Sequence, residues 1–110
     1  MYQNQQPTFL EEEDKEKVEL FIACRKLRDL DTLSKSDPQV RLFEQVKKGM
    51  GWKMWGKTET IKDNLNPNFS RSFIIDYIFE CQQVFKLHVV DIDDFNNDSK
   101  FDTLGEAQFE

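Results

Sequence analysis

Five aspartates stand close together near the carboxyl-terminal end of the chain: Asp91, Asp93, Asp94, Asp98 and Asp102, set among apolar residues. Clustered carboxylates repel one another, and a hard divalent cation is the usual reason for keeping them together. Asp91 and Asp93 continue the parity of Phe85, Leu87 and Val89. While a strand persists there, the two carboxylates point to the same side, about 7 Å apart by strand rise. A second pair, Asp31 and Asp37, brackets an earlier loop that Pro38 ends. Calcium takes 6–8 oxygen ligands at about 2.3–2.6 Å, from carboxylates, carbonyls and water. Magnesium would want fewer protein ligands, and zinc would want Cys or His, of which the chain has two and one. Calcium is the best fit among metals. An EF-hand starting at Asp91 is excluded, because Phe95 and Asn96 stand where a small polar residue and a glycine are required. A carboxylate pair for glycoside hydrolysis would need a cleft that so small a chain does not obviously offer. The plainest alternative is that Asp simply favours turns.

The elements that must position these groups are strands. Val18, Leu20, Ile22 and Cys24 alternate with Glu19, Phe21, Ala23 and Arg25, a period of two that predicts a strand over 18–25. Further strands are expected over 40–43, 53–62, 70–77 and 84–90, and from 104 to 109. A turn over 48–51 carries two glycines, and another over 64–68 is rich in Asn and Pro. Asp91 and Asp93 then lie where the fifth strand runs out into the loop over 94–100. They project from the end of the fold and not into its core. No useful helix is predicted. Short strands at this spacing indicate an all-β fold, an antiparallel β-sandwich.

Composition bounds the rest. With 110 residues and 13.1 kDa the chain has room for one domain, and ten Phe within a 38% hydrophobic fraction allow a real core. A net charge of −6 and a pI near 4.8 argue against nucleic acid and against unassisted binding to an anionic membrane. No apolar run approaches the ~18 residues of a membrane span, and residues 1–7 lack the features of a secretory signal. Cys24 and Cys81 are expected as small buried thiols of a cytosolic protein. The run Glu11-Glu12-Glu13-Asp14-Lys15-Glu16-Lys17 is expected as part of a solvated tail over 1–17, ahead of a domain over 18–110. Lys47, Lys48, Lys53 and Lys57 form either a basic face for phosphoinositide or a solvated strand face. His88 is expected to face outward. Trp52 and Trp55 are expected in aromatic packing near a hairpin, with membrane anchoring as the other possibility.

Four segments, Ser36-Asp37-Pro38, Asn66-Pro67-Asn68-Phe69, Asp91-Ile92-Asp93 and Asp102-Thr103-Leu104-Gly105, occur in the order seen in C2 domains. Asp29-Leu30-Asp31, Ser34-Lys35-Ser36-Asp37-Pro38, Gly56-Lys57-Thr58-Glu59 and Tyr77-Ile78-Phe79-Glu80 resemble the first C2 domain of a copine. The resemblance runs from about residue 18 to 109. It implies a sandwich of C2 type with type II-like strand order. It also implies a metal site of Asp31, Asp37, Asp91, Asp93 and Asp102, with backbone carbonyls of Leu30 and Ile92 beside them. Asp98 is the rival of Asp102, and Asp29 and Asp94 are expected at the periphery. About two calcium ions are implied, with anionic phospholipid as the partner and Leu33, Phe95 and Phe101 as membrane-contact candidates. On this reading the chain is a cytoplasmic binding module recruited to membranes, and not an enzyme. The alternatives are a calcium-independent protein-interaction module and a non-functional truncated fragment. Leu33 departs from the glycine common in copine-like loops, and six strands leave an eight-stranded sandwich two short.

Overall fold

A computed structural model describes residues 15–28, 35–45, 49–78 and 82–110. Asp29, Leu30, Asp31, Leu33, Lys47, Lys48, Cys81 and residues 1–14 lie outside the described residues. Six strands follow in chain order: β1 (Lys15–Leu20), β2 (Pro38–Gln45), β3 (Trp52–Lys57), β4 (Phe73–Ile78), β5 (Phe85–Ile92) and β6 (Phe101–Phe109). They form a four-stranded sheet in the order β3-β2-β5-β6 and a two-stranded sheet of β1 and β4, with every pair antiparallel. The fold is an all-β sandwich, as its residue pattern implies.

The alternation in the sequence builds the core. Leu42 on β2 and Phe85 on β5 face Phe73 and Ile75 on β4, with Val18, Leu20, Leu87 and Phe109 packed around them. Leu42 is fully buried, a gain of about 2–3 kcal/mol over leaving it in water. Phe85 and Phe109 stack with ring centroids 5.3 Å apart. On the opposite, outer face of the four-stranded sheet, the register sets Arg41 beside His88 and Lys57, and Phe43 beside Lys86.

Strand ends differ from the sequence expectation, each for a local reason. β1 starts at Lys15, where Lys17 pairs with Asp76 at 2.6 Å. It ends at Leu20, and beyond it only the bridge from Ala23 to Asn68 remains before Lys26 takes a positive φ of 56°. β3 stops at Lys57, because the Val40 N–H donates to the buried Thr58 hydroxyl at 2.9 Å and not to a backbone carbonyl, although Thr58 and Ile61 still donate to the Val40 and Pro38 carbonyls of β2 at 2.8 and 3.0 Å. β4 starts at Phe73 and not at 70, because the Ser70 and Arg71 amides donate to the Glu59 carboxylate and not to a neighbouring strand. Burial raises the Glu59 carboxyl, but those amide bonds outweigh it and hold the group below its ordinary range. β5 extends to Ile92, and β6 starts three residues earlier than expected.

Candidate metal centre

The two strand extensions carry the site. Asp91 is the second-last residue of β5, 1% exposed, and lies directly across from Asp102 near the start of β6. A shift in the β5–β6 register, between Val89 and Val90 of β5, makes this pairing possible. Val89 opposes Gly105, yet Val90 opposes Thr103, so Leu104 is the extra residue of a bulge. Without it, Asp102 would fall out of register with Asp91, and the period of two would turn it to the other face. Asp93 follows β5 by one residue. Its amide donates to the Lys100 carbonyl at 2.9 Å, which closes the loop over 94–100.

One carboxylate oxygen each from Asp91, Asp93 and Asp102 lies within 4.8 Å of the others. Two oxygens bound to one calcium can be no more than about 5 Å apart, twice the metal–ligand distance. The donor set is all oxygen and the spacing fits a shared hard cation. At an effective dielectric near 20, two such carboxylates repel by on the order of 3 kcal/mol, a cost a divalent cation would reverse.

The surrounding loops are fixed by named bonds. The Asp37 amide donates to Asp91 Oδ1 at 2.9 Å, and the Ile92 amide donates to the Asp37 carbonyl at 3.0 Å. Asp37 Oδ1 in turn accepts the Asp63 amide at 2.7 Å, where Asp63 has φ 51°. Asp37 is thus joined to the site through its backbone and to the segment between β3 and β4 through its side chain. It is not among the three clustered carboxylates. Arg28 reaches the same end, donating to the Thr103 and Leu104 carbonyls at 3.2 and 3.1 Å. Ser36 Oγ donates to the Arg28 carbonyl at 2.9 Å. No sequence signal picks out Arg28, because its role depends on a bulge 75 residues away.

The other acidic residues of the region have different partners. Asp94 Oδ1 accepts the Asn96 amide, and Asn97 Oδ1 accepts both the amide and hydroxyl of Ser99, so these side chains support the turns of the loop. Asp98 points back over the outer sheet face, where its carboxylate is paired with Lys57 and its carbonyl accepts from Arg41. The hydrogen bond from Lys57 leads the causes that hold the Asp98 carboxyl below its ordinary range. Phe95 is exposed on the loop. Phe101 is instead half-buried on the sheet face, with the Arg41 guanidinium 4.4 Å from its ring centroid and the His88 ring edge-on at 5.8 Å. His88 lies on the outer face but is largely covered, and its Nε2 is 2.9 Å from the Thr103 hydroxyl.

Of the lysines considered for a basic face, Lys57 is engaged by Asp98 and Lys53 is exposed. Lys86, which the sequence did not single out, sits over Trp52 at 4.6 Å and Phe43 at 5.2 Å. Trp55 donates its indole N–H to Glu44 at 2.7 Å. Cys24 is half-buried beside an apolar cleft, and burial pushes its thiol up.

The sequence profile of the C2 domain matches residues 18–110. Copine-A of Dictyostelium discoideum is 47% identical over 91 residues, which cover 83% of this chain and 14% of that protein. Copine-E of the same organism is 44% identical over 97 residues, 82% of this chain and 16% of that protein. The chain therefore spans only a small share of the length of these curated relatives. A C2 domain of plant Extended Synaptotagmin 1 superposes with a TM-score of 0.64 at 24% identity, over 84% of this chain and 66% of that one. Human GIVD cytosolic phospholipase A2 superposes with a TM-score of 0.68 at 24% identity, over 87% of this chain and 12% of that one. At such identities the two structures speak for the fold alone. Profile, relatives and architecture agree: the chain belongs to the C2 domain family, and its sequence is copine-like.

Proposed function

We propose that this chain binds calcium through Asp91, Asp93 and Asp102, with Asp31 and Asp37 completing the site, and in that state binds anionic phospholipid. The observation that carries the reading is the trio of carboxylate oxygens within 4.8 Å of one another at one end of the sandwich. Membership of the C2 family supports it, since phospholipid binding, often with calcium, is a general property of that family. In the bare chain the carboxylates repel a negatively charged surface. About two bound calcium ions would take five carboxylates from −5 to about −1 and offer open coordination positions to lipid phosphate or carboxylate oxygens. Ile92 and Leu30 would contribute backbone carbonyls.

The exposed Phe95, on the loop beside Asp93, adds an apolar contact of about 1.5–3 kcal/mol if fully inserted. Phe101, packed under Arg41, is the weaker candidate for insertion, because entering a bilayer would first require leaving that stack. The role is that of a binding module and not of an enzyme, working peripherally on the cytoplasmic side of a membrane. Among the described residues no helix is long and apolar enough to cross one.

Cosedimentation with phosphatidylserine-containing vesicles, with calcium or with chelator, tests this reading. The chain is expected to sediment only with calcium. Asp93→Asn and Asp102→Asn, at exposed positions that spare the core, are expected to lose most of that binding. Sedimentation unchanged by chelator would overturn the proposal and favour a calcium-independent protein-interaction module.

A further inference from the structure

The loop over 94–100 is fastened to the sheet by groups that lie away from the three clustered carboxylates. Arg41, in the middle of β2, is 9% exposed. A guanidinium that deep is costly unless its donors are satisfied by anionic or carbonyl oxygens. Its own strand supplies one acceptor, Gln39 Oε1 at 2.9 Å, and the His88 opposite it in the register is no counter-charge. The remaining demand is met from the loop, where the Asp98 carbonyl accepts from Arg41 Nη2. Lys57, beside Arg41 on β3, pairs with the Asp98 carboxylate. The same guanidinium covers the ring of Phe101, where the chain leaves the loop for β6. One residue of the loop is thus held at both its carbonyl and its carboxylate by cations from two neighbouring strands.

The loop is also closed internally. Asp93 donates to Lys100, Asn97 to Asp94 and Lys100 to Asn97, at 2.9, 2.9 and 3.1 Å. Asp93 lies at the base of that closed unit, so fixing Asp98 fixes the direction in which the Asp93 carboxylate leaves β5. We infer that Arg41, Lys57 and Asp98 form a clasp that holds the loop over 94–100 in its site-forming shape, and that Asp98 is a positioning residue and not a metal ligand. The calcium part of this inference rests on the function proposed above; the mechanical part does not.

The two roles of Asp98 predict opposite signs at Lys57. If Asp98 were a ligand, Lys57 would be a competitor for it, and Lys57→Gln would leave calcium binding unchanged or tighten it, because a nearby positive charge has gone. If the clasp positions the loop, Lys57→Gln weakens calcium binding despite that change in charge. The expected weakening is about 3- to 10-fold, at or below the roughly 10- to 100-fold that outer supporting groups contribute, because the pair is partly exposed. Asp98→Asn should weaken binding by a similar factor, the double variant by no more than either alone, and the charge swap Lys57→Asp with Asp98→Lys should restore binding. Lys57 is partly exposed, so these variants should keep the fold.

A second measurement needs no calcium. Amide exchange at Asp93, Asn97 and Lys100 in the calcium-free chain should accelerate about tenfold or more in Lys57→Gln, while the amides of Leu42 and Leu87 stay unchanged. Calcium affinity that is unchanged or tighter in Lys57→Gln, or loop exchange equal to that of the parent chain, would overturn the inference. If the parent chain binds no calcium, the proposed function fails, and the exchange measurement still decides the clasp.

Discussion

A single residue type has four different fates in and around the candidate site. Asp91 is enclosed between strands, Asp37 caps the Asp63 amide, Asp94 supports a turn, and Asp98 is paired with Lys57. What distinguishes them is the partner each backbone position puts within reach. The Asp98 carboxyl is held below its ordinary range, so its pairing is full at neutral pH and is lost only as acid protonates it below that lowered value. His88 titrates nearer neutrality. Burial lowers its imidazole from 6.5, and Lys86 and Arg41 add to this while Glu106 opposes it. The neutral form is therefore favoured in the folded chain. Stability should be full above the ordinary imidazole range and fall as pH drops through it towards the lowered value. His88→Gln is expected to flatten the melting temperature between about pH 7.5 and about pH 5. A parent and variant with parallel pH profiles would refute this assignment.

At the scale of elements, two local irregularities do the positioning. The bulge at Leu104 corrects the register so that Asp102 faces Asp91, and it leaves the Thr103 and Leu104 carbonyls for Arg28. The second irregularity is the shift between Leu42 and Phe43 on β2, beyond which Gly56 of β3 lies directly opposite Leu42. A Cβ at Gly56 would come within 3.1 Å of Arg71 Nη2 and 3.3 Å of Phe73 Cε1. Arg71 can shift its end, but Phe73 is 4% exposed in the core and has little room to move. Gly56→Val should therefore destabilise the chain by about 1–3 kcal/mol, the usual range for overpacking, measurable by urea unfolding. An unchanged midpoint would mean that β3 can move outward without loss.

At the scale of the molecule, the net charge of −6 acquires a location. Part of it converges on the sandwich end where β5 finishes and β6 begins, while Lys57, Arg41 and Lys86 sit on the outer sheet face. Cation binding there, as proposed, would tie β5, β6 and the loop over 94–100 together and should stabilise the whole fold. A ligand at 100 times its dissociation constant contributes about 2.7 kcal/mol, which for a domain of this size is a rise of about 10–20 °C in melting temperature. Calcium is expected to produce such a rise in the parent chain, and Asp102→Asn to remove most of it. A melting temperature indifferent to calcium would contradict the proposed site.

The sequence by itself determined the fold class and the neighbourhood of the candidate site. A period of two in residues such as Val18, Leu20 and Phe85, Leu87 is a local property that survives without tertiary information. The ordered motifs around Asp37, Asn66, Asp91 and Asp102 were likewise legible, and they led to the C2 family. Strand ends were not legible, because they depend on which acceptor each amide finds: Ser70 and Arg71 on Glu59, Val40 on Thr58. Nor could spacing tell that Asp102, and not Asp98, would join Asp91 and Asp93 in the carboxylate cluster. That depends on the unmet donors of a buried Arg41, 57 positions away, and on a one-residue bulge in β6. Alternation is written locally along the chain, but the destination of a charged side chain depends on desolvation and on partners that only the closed sandwich brings together.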